Sequence, residues 1–204
     1  MDIFKGLDDL INCLISKYEE FNDTWKRSNT YSEINLKKCQ VADIENQTNI
    51  LDLIWDYCSF LESQQYKLLF DLSQLQSPEN KIHARIKQAN SIQNKIKTYM
   101  AKDTAGKVPI NKCFNDLLGI RSIIDSEFSF EELKSHVNED FNSLKIINSS
   151  KNGYNAYHIY FKIDNKTFPW ELQVWKKSDE KDNLQSHATY KQEYTTWEQK
   201  HKNT

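Results

Sequence analysis

Apolar residues recur at three- and four-residue steps in two stretches of the first 80 residues. The first stretch covers residues 7–21 and the second covers residues 51–72. This spacing places the apolar side chains on one face of a helix, where they can pack into a core. The same 80 residues contain one glycine and one proline, Gly6 and Pro78, so few residues interrupt a helix. The pattern predicts two long helices, and the polar residues 22–48 between them are expected to form a loop with a short helix.

Beyond Pro78 the chain changes to short runs rich in β-branched and aromatic residues. Four of these runs have the length and composition of strands, namely residues 119–125 (GIRSIID), 143–148 (SLKIIN), 156–164 (AYHIYFKID) and 167–175 (TFPWELQVW). Helical spacing returns in residues 130–141 and in residues 183–202, where Tyr190, Tyr194 and Trp197 lie three to four residues apart.

The connections between these elements indicate a mixed sheet. A helix that crosses between two strands allows parallel pairing, whereas the short turn at Asn165 and Lys166 indicates an antiparallel hairpin. The sequence therefore predicts an α/β (α+β) fold, a mixed sheet of about five strands flanked by helices, with an N-terminal helical extension. We divide the chain into a helical region, residues 1–79, and an α/β unit, residues 80–204.

Charge and composition narrow the function classes. The 204 residues carry a net charge of −2, so no overall basicity indicates nucleic-acid binding, and a polyanion site has to be local. No run of 18 apolar residues is present, and Asp8 and Asp9 precede any apolar signal core. Four scattered cysteines form no CxxC pair. We expect a soluble, cytoplasmic protein with reduced thiols and no membrane partner, and the sequence does not indicate an oligomeric state.

One segment of the chain is strongly basic although the net charge of the whole chain is slightly negative. Residues 81–107 contain seven lysines and arginines and a single acidic residue, Asp103. If the segment is helical, Lys87, Ser91 and Lys95 share one face at four-residue steps. Like charges at that spacing repel, and a multiply charged anion such as a triphosphate would relieve the repulsion. The alternative is an ordinary solvated face rich in lysine.

A carboxylate and an arginine follow five residues apart. Asp116 can hold a hard divalent cation, which prefers carboxylate oxygen and keeps phosphate oxygens and waters as its other ligands. Arg121 can stack on a nucleobase or bind a phosphate through its planar guanidinium. The alternative is a helix-end carboxylate and a surface arginine.

Two further segments carry polar residues on strands. Asn152 and Gly153 mark a tight turn, and Tyr154, directly after it, can offer a stacking platform or simply pack on the sheet. Glu171 and Gln173 share one strand face, opposite to the apolar residues Trp170, Leu172 and Val174. Glu171 can bind a metal together with Asp116 and accept a hydroxyl proton, or it can be a solvent-facing carboxylate.

Taken in order, these clusters resemble the synthetase domain of the RelA/SpoT family, whose members move a pyrophosphate from ATP to a ribose hydroxyl. The resemblance rests on an ordered set of residues over about residues 80–195, namely Arg85, Lys87, Ser91 and Lys95, then Asp116 and Arg121, then Asn152, Gly153, Tyr154 and His158, then Glu171 and Gln173. Each motif alone is weak, and the ordered set is specific. The chain looks like a stand-alone small synthetase.

The resemblance implies a role for each residue. Arg85 and Arg121 would sandwich the adenine of ATP, and Lys87, Ser91 and Lys95 would hold its phosphates. Mg²⁺ would bind to Asp116 and Glu171, which with Lys95 would form the catalytic group. The acceptor would contact Lys151, Asn152, Tyr154, His158 and Gln173, with Tyr154 stacked on its base and Glu171 taking the hydroxyl proton.

The implied activity is pyrophosphate transfer from ATP to the 3′-hydroxyl of GDP or GTP, which gives (p)ppGpp-type alarmones and releases AMP. One departure concerns the acceptor. Alarmone-making members usually have an arginine and a threonine where this chain has Trp175 and Lys176. The chain has no His-Asp dipeptide of the kind that marks the family's hydrolase domain, so we expect no degradation of the product.

The departure at Trp175 leads to an alternative acceptor. Some small relatives are toxins that pyrophosphorylate the 3′ CCA end of tRNA and are paired with an antitoxin. An RNA acceptor predicts a further basic surface, for which Lys176 and Lys177, Trp25-Lys26-Arg27 and Lys37-Lys38 are candidates. A third hypothesis is a catalytically silent nucleotide-binding module.

Overall fold

Two long helices form the N-terminal part of the chain, as the apolar spacing predicted. In this computed structural model, which describes residues 3–28, 33–101 and 105–186, α1 spans Lys5–Ser28 and α2 spans Thr48–Ser73. α1 continues past residue 21 because Asn22 and Trp25 extend its buried face. A short 3₁₀ helix, Val41–Glu45, lies between the two helices, which confirms the expected loop with a short helix.

The remaining elements form a five-stranded mixed sheet with helices in its connections. The strands are β1 (Asn80–Ile86), β2 (Leu118–Ile124), β3 (Lys145–Asn148), β4 (Tyr157–Phe161) and β5 (Trp170–Lys176). The helices are α3 (Ala89–Ala101), α4 (Ile110–Cys113) and α5 (Phe130–Asp140). The order in the sheet is β1-β2-β5-β4-β3, and only β2 and β5 pair in parallel among the described strands. The hairpin of β4 and β5 is antiparallel as predicted, but the strands on either side of α5 are not neighbours.

The expectation of one helix through the basic segment is wrong. Residues 80–86 form β1, and α3 begins only at Ala89, so Lys87 lies in the connection and does not share a helix face with Ser91 and Lys95. Apolar side chains two residues apart in β1 alternate with exposed Lys81, His83 and Arg85. The four-residue step from Ile82 to Ile86 fits a helix as well as a strand, which is why the spacing misled the prediction.

Two predictions extend beyond the described residues. Residues 180–186 are helical, in agreement with the start of the predicted final helix, but Tyr190, Tyr194 and Trp197 lie outside the described ranges. Lys102 and Asp103 of the basic segment lie outside them as well. None of the described helices is long and apolar enough to cross a membrane.

The first two helices cover one face of the sheet. Tyr18 of α1 donates a hydrogen bond from its hydroxyl to the Phe168 carbonyl (3.1 Å), and Trp170 of β5 donates from Nε1 to the Tyr57 hydroxyl of α2 (2.9 Å). Leu172 and Val174 are fully buried in the same core. Because strand side chains alternate between faces, the polar residues of β5 lie on the opposite face.

Candidate active site

The strand register aligns the predicted site residues in two adjacent rows across the face of the sheet opposite to α1 and α2. One row is Arg85, Gly119, Glu171 and Tyr160 on β1, β2, β5 and β4, and the next is His83, Arg121, Gln173 and His158 in the same strand order. Side chains of residues paired across strands lie on the same face. The sheet therefore brings together residues from four motifs that are far apart in the sequence.

Glu171 is buried in a network of polar side chains, so the interpretation as a solvent-facing carboxylate is wrong. Its side chain is 5% exposed, and its Oε1 lies 2.7 Å from His158 Nδ1. Gln173 donates a hydrogen bond from Nε2 to the same oxygen (3.3 Å). His158 Nε2 in turn lies 3.1 Å from the Tyr154 hydroxyl. The predicted base is thus connected through His158 to the predicted stacking residue.

Tyr154 follows a tight turn, as the Asn-Gly pair predicted. Asn152 and Gly153 have φ values of +49° and +80°, a left-handed conformation that asparagine and glycine tolerate best. Lys151 and Tyr154 close the turn through two backbone hydrogen bonds of 2.8 and 2.9 Å. Lys151 and Asn152 are exposed at its tip. Burial raises the pKa of Tyr154 to about 12, so its hydroxyl stays protonated at neutral pH.

Asp116 joins the two lysines of the predicted phosphate site. Lys87 Nζ lies 2.6 Å from Asp116 Oδ2 and Lys95 Nζ lies 2.9 Å from Oδ1. Burial alone would raise the pKa of Asp116, but the charges of Lys95 and Lys87 and their hydrogen bonds outweigh it and hold this pKa at about 2. The two ammonium groups converge although they lie on different elements. Ser91 lies in the first turn of α3, and no described contact joins it to this cluster.

Burial lowers the pKa of Lys87, whereas the charge of Asp116 outweighs burial at Lys95 and raises its pKa. The charge of Asp116 raises the pKa of both lysines, but at Lys87 burial and the nearby positive charges outweigh it, so Lys87 gives up its proton more readily.

Arg121 lies over an aromatic ring. Its Cζ is 3.6 Å from the centroid of the fully buried Trp175 ring, and its buried Nε has no hydrogen-bond partner within the part of the chain that the structure describes. Burial, followed by the nearby charge of Arg85, lowers the pKa of Arg121 to about 10. Two neighbouring guanidinium groups with no salt bridge to any described carboxylate form a site that favours an anion.

The two carboxylates can take part in holding Mg²⁺. Burial raises the pKa of the Tyr160 hydroxyl, and the charges of Glu171 and Asp116 raise it further. Each Asp116 oxygen bonds a lysine but has a second lone pair. Among the described residues, no group of three or more His, Cys, Asp or Glu side chains can hold a metal by itself. Carboxylate oxygens are ligands that Mg²⁺ prefers, and Mg²⁺ held by this pair together with phosphate oxygens remains a prediction.

Sequence reasoning did not single out two residues of this face as site residues. Trp175 was noted only as a departure from the family pattern, and Tyr160 was not noted. Strand alternation was the available signal, because Trp175 lies two residues after Gln173 and Tyr160 two residues after His158. The roles of the predicted site residues remain predictions.

Comparison with known proteins identifies the family. The family model described as "Region found in RelA / SpoT proteins" matches residues 84–195. No curated protein matches the chain at a significant level. Small alarmone synthetase 1 from Bacillus subtilis is 17% identical, with 72% of this chain and 82% of that chain covered and a TM-score of 0.44. A GTP pyrophosphokinase family protein from Streptococcus pneumoniae is 17% identical, with 71% and 76% covered and a TM-score of 0.41. The family model spans more than half of the chain and includes every predicted site residue, and the chain therefore belongs to the RelA/SpoT family.

Proposed function

We propose that this protein transfers the β,γ-pyrophosphate of ATP to the ribose 3′-hydroxyl of GDP or GTP and releases AMP. Membership of the RelA/SpoT family makes the chain a pyrophosphotransferase by class. The observation that carries the proposal is the convergence, on one face of the sheet, of two arginine side chains with the network of Glu171, His158 and Tyr154. We assign the transfer to residues 80–204 and a supporting role to residues 1–79.

The cationic groups suit a donor nucleotide. The guanidinium of Arg121 rests on Trp175 with one face, so a base can stack on the other, and Arg85 lies close enough to contribute. Lys87 and Lys95 hold Asp116 between them, and the phosphates of ATP would take over part of this contact. These ammonium groups are already held in position, so they can stabilise the negative charge on the pyrophosphate group during its transfer. Mg²⁺ bound to Asp116 and Glu171 would supply further positive charge at the phosphates.

The other side of the site suits an acceptor hydroxyl. A ribose hydroxyl is almost wholly protonated at neutral pH, and a positioned base contributes about 10²–10⁴-fold to its reaction. Glu171 accepts hydrogen bonds from Gln173 and contacts His158 through Oε1, and among the described residues its Oε2 makes no hydrogen bond, so this oxygen can accept the proton. The Tyr154 ring can stack on the acceptor base beside this group.

Ion pairing favours a free nucleotide over RNA as acceptor. Lys176 lies 3.3 Å from Glu127 and 3.4 Å from Asp179, and Lys177 pairs with Asp125. Lys26 lies 2.9 Å from Asp164, and Trp25 beside it is buried. Three of the six lysines and arginines on these candidate surfaces are therefore already paired with acidic side chains. Transfer to tRNA, with an antitoxin partner, remains the second candidate because Trp175 replaces the usual arginine.

Labelled ATP tests the proposal directly. The protein is incubated with ATP labelled in the β- and γ-phosphates and with either GDP or deacylated tRNA, and the labelled product and AMP are measured. Label on GDP supports the proposal. Label on tRNA alone assigns the chain to the second candidate, and label on neither acceptor without AMP release indicates a silent module.

Two lysine variants, Lys87→Ala and its control Lys134→Ala, test the predicted phosphate site. Lys87→Ala should weaken ATP binding, because it removes one of two ammonium groups at the predicted phosphate site. Lys134→Ala removes a half-exposed lysine of α5, which lies on the core side of the sheet, and should leave ATP binding unchanged. Equal ATP affinity in both variants would remove Lys87 from the donor site.

A further inference from the structure

The side chain of Asn183 is fully buried and pairs with the backbone of a distant residue. The backbone N–H of Asn155 donates to Asn183 Oδ1 at 2.7 Å, and Asn183 Nδ2 donates to the Asn155 carbonyl at 2.7 Å. The amide thus satisfies both backbone groups of one residue, as a neighbouring strand would. Nothing in the motifs of the family resemblance includes Asn183.

Asn155 directly follows Tyr154 and is not held by the sheet. β4 begins at Tyr157, so residue 155 lies outside the ladder of backbone hydrogen bonds. Besides Asn183, Asp179 Oδ1 accepts a hydrogen bond from Asn155 Nδ2 at 3.1 Å. The turn that carries Tyr154 is therefore anchored to the segment of the chain that follows β5.

We propose that Asn183 is a positioning residue for Tyr154. The inference rests on the proposed function, in which Tyr154 contacts the acceptor. Two groups hold the tyrosine, since Asn183 fixes the backbone directly after it and the Trp175 ring packs against its ring, with centroids 6.0 Å apart at 85°. With the anchor in place, the Tyr154 hydroxyl meets His158, which contacts Glu171.

The contact between Asn183 and the Asn155 backbone requires both the oxygen and the nitrogen of the Asn183 amide. Alanine at position 183 would remove the hydrogen-bond partners of both the N–H and the carbonyl of Asn155. Aspartate would keep the size and one acceptor oxygen, but its second oxygen would face the Asn155 carbonyl, which cannot donate a hydrogen bond. Both variants are therefore expected to weaken the contact that holds the turn of Tyr154, although aspartate fills the volume of the asparagine side chain and alanine does not.

Asn22 offers a matched control. Its side chain is also fully buried, and its Nδ2 donates to the Tyr18 carbonyl within α1 at 2.8 Å, on the opposite side of the sheet. Asn22→Ala should therefore lower the unfolding temperature as Asn183→Ala does, without any effect on the acceptor.

The kinetic test uses ATP with GDP, and then ATP with deacylated tRNA. Asn183→Ala and Asn183→Asp should raise the acceptor KM about tenfold, the equivalent of two lost neutral hydrogen bonds, and leave the ATP KM unchanged. In a Tyr154→Ala background, Asn183→Ala should have no further effect on acceptor KM, because the anchored ring is already absent. Equal increases in both KM values, or additive effects with Tyr154→Ala, would overturn the proposal.

Hydrogen–deuterium exchange tests the anchor without any activity. The amides of residues 149–156 should exchange faster in Asn183→Ala and Asn183→Asp than in the unmodified protein or in Asn22→Ala. Unchanged exchange would overturn the proposal even in an active enzyme. If neither acceptor is used but exchange accelerates as expected, the proposed function fails and the anchor stands.

Discussion

The surroundings of Glu171 determine how its carboxylate is oriented and which of its oxygens is engaged by neighbours. The sequence places a carboxylate in an aromatic strand, and the fold buries it between His158 and Gln173. Two contacts on Oε1 orient the carboxylate, and among the described residues Oε2 makes no hydrogen bond. A catalytic base has to lie within hydrogen-bond distance of the hydroxyl whose proton it accepts. The orientation of the carboxylate therefore matters as much as its presence.

Replacing Glu171 by glutamine tests this assignment. Glu171→Gln keeps the size and the hydrogen bonds to neighbours but cannot accept a proton, so we expect kcat to fall about 10²–10⁴-fold. ATP binding should change little, because the donor is held mainly by Lys87, Lys95 and the two arginines. The measurements are turnover from AMP release and ATP affinity by calorimetry. Unchanged turnover would remove the base assignment.

Asp116 makes stability depend on pH. Its folded pKa of about 2 lies below the ordinary value of 3.8, so its contribution is present above about pH 4 and is lost as the pH falls toward 2. A shift of this size corresponds to about 2 kcal/mol of unfolding free energy. Urea unfolding of nucleotide-free protein at pH 5 and pH 2.5 should therefore show a larger loss in the unmodified chain than in Asp116→Asn.

The Asp116→Asn variant provides a second test of this role of Asp116, at neutral pH. Asp116→Asn leaves Lys87 and Lys95 largely buried without a counter-charge, so it should be less stable than the unmodified chain at pH 7. The same loss of stability on acidification in both proteins would show that Asp116 is not the titrating group.

At the scale of elements, α5 begins at a capping box formed by Ser129 and Glu132. Ser129 accepts a hydrogen bond from the Glu132 backbone N–H (3.2 Å), and the Glu132 carboxylate accepts one from the Ser129 backbone N–H (2.7 Å). This reciprocal capping box satisfies two backbone donors at the first turn. Helical spacing predicted a helix over residues 130–141, and α5 spans Phe130–Asp140.

Removing the cap should cost stability without affecting chemistry. Ser129→Ala is expected to lower the unfolding free energy by about 1 kcal/mol, the usual loss for an N-cap hydroxyl. Ser135→Ala is the control, because the Ser135 hydroxyl bonds only the exposed Glu139 side chain within the described residues and should change stability by less than about 0.5 kcal/mol. Urea unfolding of both variants makes the comparison, and equal losses would contradict the role of the cap.

β1 shows where local reasoning failed. Its apolar residues Ile82 and Ile86 satisfy both the helical and the strand period, and no glycine or proline separates β1 from α3. Pairing with β2 along seven residues decides the outcome, and Gln76 adds two hydrogen bonds to Ile82 on the outer edge. The β2 partners are more than 30 residues away in the sequence, so a window of neighbouring residues does not contain the information.

At the scale of the whole molecule, the N-terminal helices and the sheet share one hydrophobic core. Buried residues of α1 and α2 belong to the same cluster as those of β2 and β5. The aromatic side chains Tyr18, Phe21 and Tyr57 contact Trp170 or Phe168 directly. The helical region is therefore structural support for the sheet that carries the site.

A truncated chain tests this dependence. We expect residues 80–204 produced alone to lack a cooperative unfolding transition and to bind a hydrophobic dye, because removal of α1 and α2 exposes the apolar face around Trp170 and Leu172. The full chain is the control. A truncated chain with a cooperative transition and wild-type turnover would show that the two regions are independent.

The sequence by itself determined the two N-terminal helices, four of the five strands, the tight turn before Tyr154 and the ordered set of residues that identifies the family. These features depend on short-range periodicity, turn chemistry and residue identity, which are all present in the chain itself. Only the tertiary structure decided that residues 80–86 form a strand, that Trp175 lies under Arg121, and that Asn183 holds the turn of Tyr154. Each of these depends on groups brought together by the sheet from distant parts of the chain, and their pairing depends on register and burial that no local pattern contains.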